Sequence, residues 1–201
     1  MNQRPHPEHP RRLVLASSSP YRRALLDRLG LSYEVVPPRC DETRLPKESA
    51  ASCALRLARM KAAAVADAHP DALIIGSDQL AESNGEILGK PGDEATAVKQ
   101  LCQMAGTVVT FHTGLCVLDA ATGSHQAEVV PYTVKMRVLP QDAILRYVQK
   151  ERPFDCAGSF KAEGLGIALF QWMRGDDPTA LIGLPLIALI RMLERTGACV
   201  P

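Results

Sequence analysis

The run Ala72-Leu73-Ile74-Ile75-Gly76 is apolar at every position and then breaks into Ser77-Asp78-Gln79. A strand sends alternate side chains to opposite faces of its sheet, so a run without polar residues needs both faces covered. That demand selects an α/β architecture, with helices packed on both sides of a sheet. A chain of 201 residues can meet it as one domain or as two lobes sharing one sheet system. In open α/β sheets ligands bind outside the carboxyl ends of the strands, so Asp78, read as lying at a strand end, is well placed for chemistry.

A second apolar run, Leu13-Val14-Leu15-Ala16, breaks into Ser17-Ser18-Ser19-Pro20-Tyr21-Arg22-Arg23. Ser19 is a good helix N-cap, and Pro20 suits the first helical position, where its missing N–H would have no partner anyway. The helix is expected to run to about Gly30. Arg22 and Arg23 break the local rule, because the positive end of the helix dipole disfavours cations and welcomes anions. Two readings stand for this stretch alone: a capped helix with solvated arginines, or a phosphate held among free N–H groups, serine hydroxyls and guanidinium forks.

Further along, Tyr33-Glu34-Val35-Val36 reads as a short strand, and Pro37-Pro38 leads to the adjacent acids Asp41-Glu42 on a loop. Glu48 to Ala68 reads as a long alanine-rich helix with Arg56, Arg59 and Lys61 on a wet face. Asn84-Gly85 signals a hairpin turn, and Gly89-Lys90-Pro91-Gly92 delivers a lysine on a tight loop. Asp93 caps a helix reaching Met104 with Ala97, Leu101 and Met104 inward. Thr107 to Leu118 and Glu128 to Leu139 read as a long hairpin, with Val130, Tyr132, Val134, Met136 and Val138 alternating. It is expected to wall a cleft and, standing free, to offer a surface for a homodimer. Pro140 opens a helix to Lys150, Phe154 to Gly166 is an aperiodic glycine-bracketed loop, and Pro185 to Arg195 is a closing helix.

The net charge of +1 gives no ground for a nucleic-acid or membrane-surface partner. No stretch is apolar enough for long enough to span a bilayer. The six cysteines stand singly without metal-ligand spacing, as reduced thiols of the cytoplasm would. Residues 1 to 11, rich in Pro, His and Arg, read as a disordered tail ahead of a single domain over 12 to 201.

Taken together, Ser19 with Arg22 and Arg23, the Asp41-Glu42 loop, Asp78, and Lys61 with Lys90 supply cations for a polyphosphate and carboxylates for a divalent ion. Mg²⁺ takes one or two protein carboxylates and completes its shell with phosphate oxygens and water. Metal-assisted phosphoanhydride hydrolysis is the chemistry this suggests, and no G-x-x-x-x-G-K-[ST] phosphate loop is present.

The motifs Leu15-Ala16-Ser17-Ser18-Ser19-Pro20-Tyr21-Arg22-Arg23, Asp41-Glu42, Gly76-Ser77-Asp78-Gln79, Gly89-Lys90-Pro91, Ala157-Gly158-Ser159-Phe160-Lys161-Ala162-Glu163-Gly164 and Gly183-Leu184-Pro185-Leu186 resemble, in order, those of the Maf-like nucleoside triphosphate pyrophosphatases. The resemblance implies a two-lobed fold of the Maf and inosine-triphosphatase kind, with an elongated mixed sheet flanked by helices and a cleft between the lobes. It implies cleavage between the α and β phosphates with Mg²⁺ or Mn²⁺, Asp78 as proton acceptor, and Glu42 holding the metal or orienting the water. Ser17, Ser19, Arg22, Arg23, Lys61 and Lys90 match positions around the phosphates.

Tyr21, Gln79 and Glu163 depart together from the branch acting on dTTP and UTP and are similar to the sub-branch acting on 7-methyl-GTP. Methylation at N7 makes guanine cationic, which an aromatic face and a carboxylate both favour, while Gln79 can bond the base edge. Singly, Tyr21 can merely pack, Gln79 can satisfy backbone groups and Glu163 can be a solvated acid. The competing functional readings are a pyrophosphatase for pyrimidine or other modified nucleotides and, from the association of the family name, a nucleotide-binding regulator of septum formation.

Overall fold

The computed structural model describes residues 11–198 and 200. The expected tail over residues 1–10 lies outside the described residues. Arg11, assigned to that tail, is anchored: its guanidinium donates to both carboxylate oxygens of Asp119 at 2.7 and 2.6 Å.

Among the described residues seven strands, β1 to β7 in chain order, form one mixed sheet in the order β2-β1-β3-β5-β6-β7, with β4 paired to β3. Strands β1 (Leu13–Ala16), β2 (Glu34–Val35) and the first part of β3 (Leu73–Ser83) run parallel. The others, β4 (Glu86–Leu88), β5 (Val108–Asp119), β6 (His125–Met136) and β7 (Phe170–Arg174), add antiparallel. The apolar runs do what their composition requires: β1 and Leu73–Ile75 are buried on both faces.

One lobe packs α1 (Pro20–Asp27) and α6 (Leu186–Arg195) on one face of this parallel region, around Leu15, Leu25, Ile75 and Leu189. Its other face is covered by α2 (Ala50–Ala63), through Ala58 and Ala62 against Val14 and Ile74. The second lobe gathers α3 (Glu94–Met104), α4 (Gln141–Glu151) and the short α5 (Pro178–Ile182) around Phe111, Phe160 and Phe170. Those rings meet edge to face at 5.2 and 4.8 Å. Strands β3, β5 and β6 run through both lobes.

Local signals hold where the physics is local. Ser19, Ser49 and Asp93 cap α1, α2 and α3 with their side chains, and Ala97, Leu101 and Met104 are the buried face of α3. Asn84 and Gly85 both take positive φ, as a two-residue hairpin turn of this hand requires.

Several expectations are corrected. α1 stops at Asp27 and α2 at Ala63; from Val65 the backbone bonds tighten to three-residue spacing. The β5–β6 hairpin does not stand free as a ribbon: β5 pairs with β3 along its length, and β7 pairs with β6 over Thr133 to Met136. A register shift at Lys135/Met136 ends the alternation, which leaves Val138 85% exposed. Strand β7 and helix α5 had no clear periodic signal.

Candidate active site

Strand β3 does not end at Asp78; it continues to Ser83, paired on one side with β5 throughout. On its other side β1 pairs as far as Gly76 and β4 only from Ala81. On that side Ser77 to Leu80 therefore present an edge with no strand beside it among the described residues, and the cleft opens there. Asp78 still stands just beyond the carboxyl end of β1, so the rule about sheet ends holds for the neighbouring strand.

Alternation along β3 sorts the side chains. Gly76 and Asp78 face α2, while Ser77 and Gln79 face the opposite way. Glycine at 76 and 114 lets α2 lie directly on the sheet: a Cβ at Gly76 would overlap the Ala58 carbonyl oxygen, and one at Gly114 the Ala54 carbonyl oxygen. Lys61, near the end of that helix, is thereby laid over Asp78. Its Nζ donates to Asp78 Oδ1 at 2.6 Å and to Glu42 Oε2 at 2.8 Å. Lys61 is 6% exposed, so its place on a wet face is corrected: lysines this buried are paired ones. Two carboxylates around one ammonium leave a net charge of −1.

The loop carrying Glu42 is held to α2 by a clamp. Arg56 forms a bidentate pair with Glu48, 2.7 Å on each arm, and donates to the Thr43 carbonyl at 3.2 Å. That pairing holds the Glu48 carboxyl at about 2, well below its ordinary range.

On the opposite face the Gly183 carbonyl accepts from Arg22 Nε at 2.8 Å and from Ser77 Oγ at 2.9 Å. This one oxygen ties α1, β3 and the turn after α5 together, and it aims Arg22 along the cleft. Desolvation lowers the Arg22 pKa, with Asp78 and Glu42 pulling the other way. Ser17 is buried and its Oγ accepts from the Ser19 N–H at 3.1 Å, while Ser19 Oγ caps Arg22 N–H at 3.4 Å.

The cleft has a volume of about 660 Å³. Ser17, Ser19, Tyr21, Arg22, Glu42, Lys61, Asp78, Gln79, Lys90 and Glu163 all line it. Arg23 does not: it is exposed outside the cleft, because each residue turns about 100° round a helix and Arg23 stands about 200° from Tyr21. Gln79 lines the cleft with its amide nitrogen engaged, donating to the carbonyls of Ala180 and Leu181 at 2.7 and 3.0 Å and to Thr113 Oγ1 at 3.0 Å. Only its carbonyl oxygen remains for a ligand. Tyr21 donates to Asp155 across the cleft at 3.2 and 3.3 Å. Glu163 is exposed, on the loop expected to line the site.

Sequence reasoning missed Arg44 and Asp155, both on the cleft wall. Arg44 lies two residues beyond Glu42, a signal that was available. Asp155 stands 134 residues from Tyr21, and nothing local announces that contact.

The family model of Maf-like proteins matches residues 12–196. The chain belongs to that family. Among its relatives, a protein of Aromatoleum aromaticum named 7-methyl-GTP pyrophosphatase is 57% identical over 94% of this chain and 98% of its own length. Proteins of the same name from Alkalilimnicola ehrlichii (56% identical; 92% of this chain, 93% of theirs) and Pseudomonas savastanoi pv. phaseolicola (53%; 94% and 98%) are similar throughout. Among solved structures, the Staphylococcus aureus Ham1 protein superposes with a TM-score of 0.48 at 17% identity, over 77% of this Maf-like chain and 89% of the other.

Proposed function

We propose that this Maf-like protein is a nucleoside triphosphate pyrophosphatase that hydrolyses 7-methyl-GTP to 7-methyl-GMP and diphosphate, working in the cytoplasm. One observation carries the reaction: Lys61 held between Asp78 and Glu42 in a cleft whose wall also bears Arg22, Arg44 and Lys90. The choice of nucleotide is supported by the relatives of that name and by Tyr21 and Glu163 lining the same cleft.

Asp78 is the proton acceptor. Its Oδ1 is taken by Lys61, and Oδ2, without a hydrogen-bond partner among the described residues, receives the proton of the attacking water. The bond between the α and β phosphates breaks and diphosphate leaves. Arg22, Lys90 and Arg44 face the charge that develops on it, inside a site where such interactions count for more than in water. Ser17 and Ser19 hold the turn at the start of α1, where free N–H groups welcome a phosphate.

The acid pair fits a divalent cation of the Mg²⁺ or Mn²⁺ kind. Asp78 and Glu42 are hard oxygen donors, and their net charge with Lys61 is negative. When bound, the ion would polarise a phosphoryl oxygen and offset its charge.

Diphosphate release from a panel of methylated and unmethylated nucleotides tests the proposal, with 7-methyl-GTP expected to give the highest kcat/KM. Glu163→Gln should lower the preference for 7-methyl-GTP over GTP by about tenfold, the scale of one charge-assisted contact. An unchanged ratio would remove Glu163 from base recognition.

A further inference from the structure

Tyr21 reaches across the cleft from α1, in one lobe, to Asp155 on the loop preceding Phe160, in the other. Its hydroxyl donates to both Asp155 oxygens at 3.3 and 3.2 Å, and Cys156 Sγ donates to the hydroxyl oxygen at 3.6 Å. Burial, then Cys156 and Asp155, push the phenol above its ordinary range, so it stays an O–H donor at any working pH. Burial likewise pushes the Cys156 thiol up to about 12, which keeps it a donor as well.

A phenol that donates to a carboxylate is polarised toward phenolate, and hydrogen-bonded chains reinforce such polarisation. The ring face becomes more negative, which strengthens its attraction for a cation and leaves its attraction for a neutral ring almost unaltered.

We propose that Asp155 is a positioning residue for substrate selectivity: it fixes the Tyr21 ring across the cleft and polarises it, favouring an N7-methylated, cationic guanine over the neutral base. This rests on the reading that Tyr21 receives the base. A strut that merely joined the two lobes would affect every nucleotide alike.

The test is steady-state diphosphate release from 7-methyl-GTP and from GTP by the wild type, Asp155→Asn, Asp155→Glu, Tyr21→Phe and the Tyr21→Phe/Asp155→Asn pair. Asp155→Asn removes the charge and keeps an acceptor for the hydroxyl. It should lower the ratio of kcat/KM for 7-methyl-GTP over GTP about tenfold, mostly through KM, with Asp155→Glu restoring part of it. In the Tyr21→Phe background Asp155→Asn should have little further effect on the ratio.

Equal losses on both substrates would show a strut and overturn the inference. An undiminished effect in the Tyr21→Phe background would show direct contact with the base and overturn it too. A wild type with no preference for the methylated nucleotide would overturn the substrate reading itself, and the inference with it. Thermal melting of each variant separates these outcomes from misfolding: a variant that melts with the wild type and keeps its selectivity counts against Asp155.

Discussion

Lys61 shows how much one side chain can organise. Its ammonium is buried between Asp78 and Glu42, and each carboxylate keeps its place by contact with it. Asp78 then has one oxygen fixed and the other turned to the cleft, which suits a base that must meet a water in one orientation. Asp78→Asn preserves the acceptor for Lys61 and deletes the base. We expect kcat to fall by about 10²- to 10⁴-fold, the usual worth of a positioned base, with the melting temperature close to that of the wild type. A single-turnover assay of diphosphate release reads this directly. The same variant separates catalysis from regulation of septum formation: a nucleotide-binding regulator would keep its cellular effect when turnover is gone.

At the level of elements, helix α2 is where composition becomes position. Its inward face is Cys53, Ala54, Leu57, Ala58, Lys61 and Ala62, small enough near the sheet for the backbone to rest on Gly76 and Gly114. The alanines look unremarkable in sequence, yet a larger residue there or a side chain at either glycine would lift the helix and withdraw Lys61 from Asp78. Gly76→Ala places its methyl against helix backbone, which cannot rotate aside. It should cost about 1–3 kcal/mol in urea unfolding, the range for overpacking, and lower kcat as well. Gly85→Ala is the contrast, since its Cβ would meet nothing within 4 Å and its penalty comes from positive φ alone. It should cost about 1 kcal/mol, with kcat retained.

Over the whole molecule, ion pairs fasten segments that lack regular structure. Glu48 and Arg56 hold the Glu42 loop to α2, and Arg11 and Asp119 hold the residues just before β1 to the β5–β6 turn. Both carboxyls are drawn down to about 2, chiefly by the hydrogen bonds from their arginines. For a carboxyl whose folded pKa lies below its unfolded one, the stabilisation is fully present above the unfolded value and is lost as pH falls toward the folded value. Melting temperature should therefore hold on the acid side down to the ordinary carboxylate range and fall as pH drops from about 4.5 toward about 2. Arg56→Met should flatten part of that slope and, by loosening the loop of Glu42, lower kcat at neutral pH. No helix among the described residues is long and apolar enough to cross a membrane.

The linear chain determined what short-range physics can express. Burial of β1 and of the first part of β3 follows from their composition, the capped starts of α1 and α3 from single side chains, and the Asn84-Gly85 turn from two residues that tolerate positive φ. The candidacy of Asp78, Glu42, Lys61 and Lys90 came from residue type, spacing and likeness to a family. Tertiary structure decided the rest, because strand pairing and helix packing join residues far apart in the chain. Pairing with β5 carried β3 past Asp78 to Ser83, helix geometry kept Arg22 and turned Arg23 away, and α5 claimed the amide nitrogen of Gln79. Tyr21 met Asp155 only because two lobes close around one sheet, a contact that no periodicity within either segment encodes.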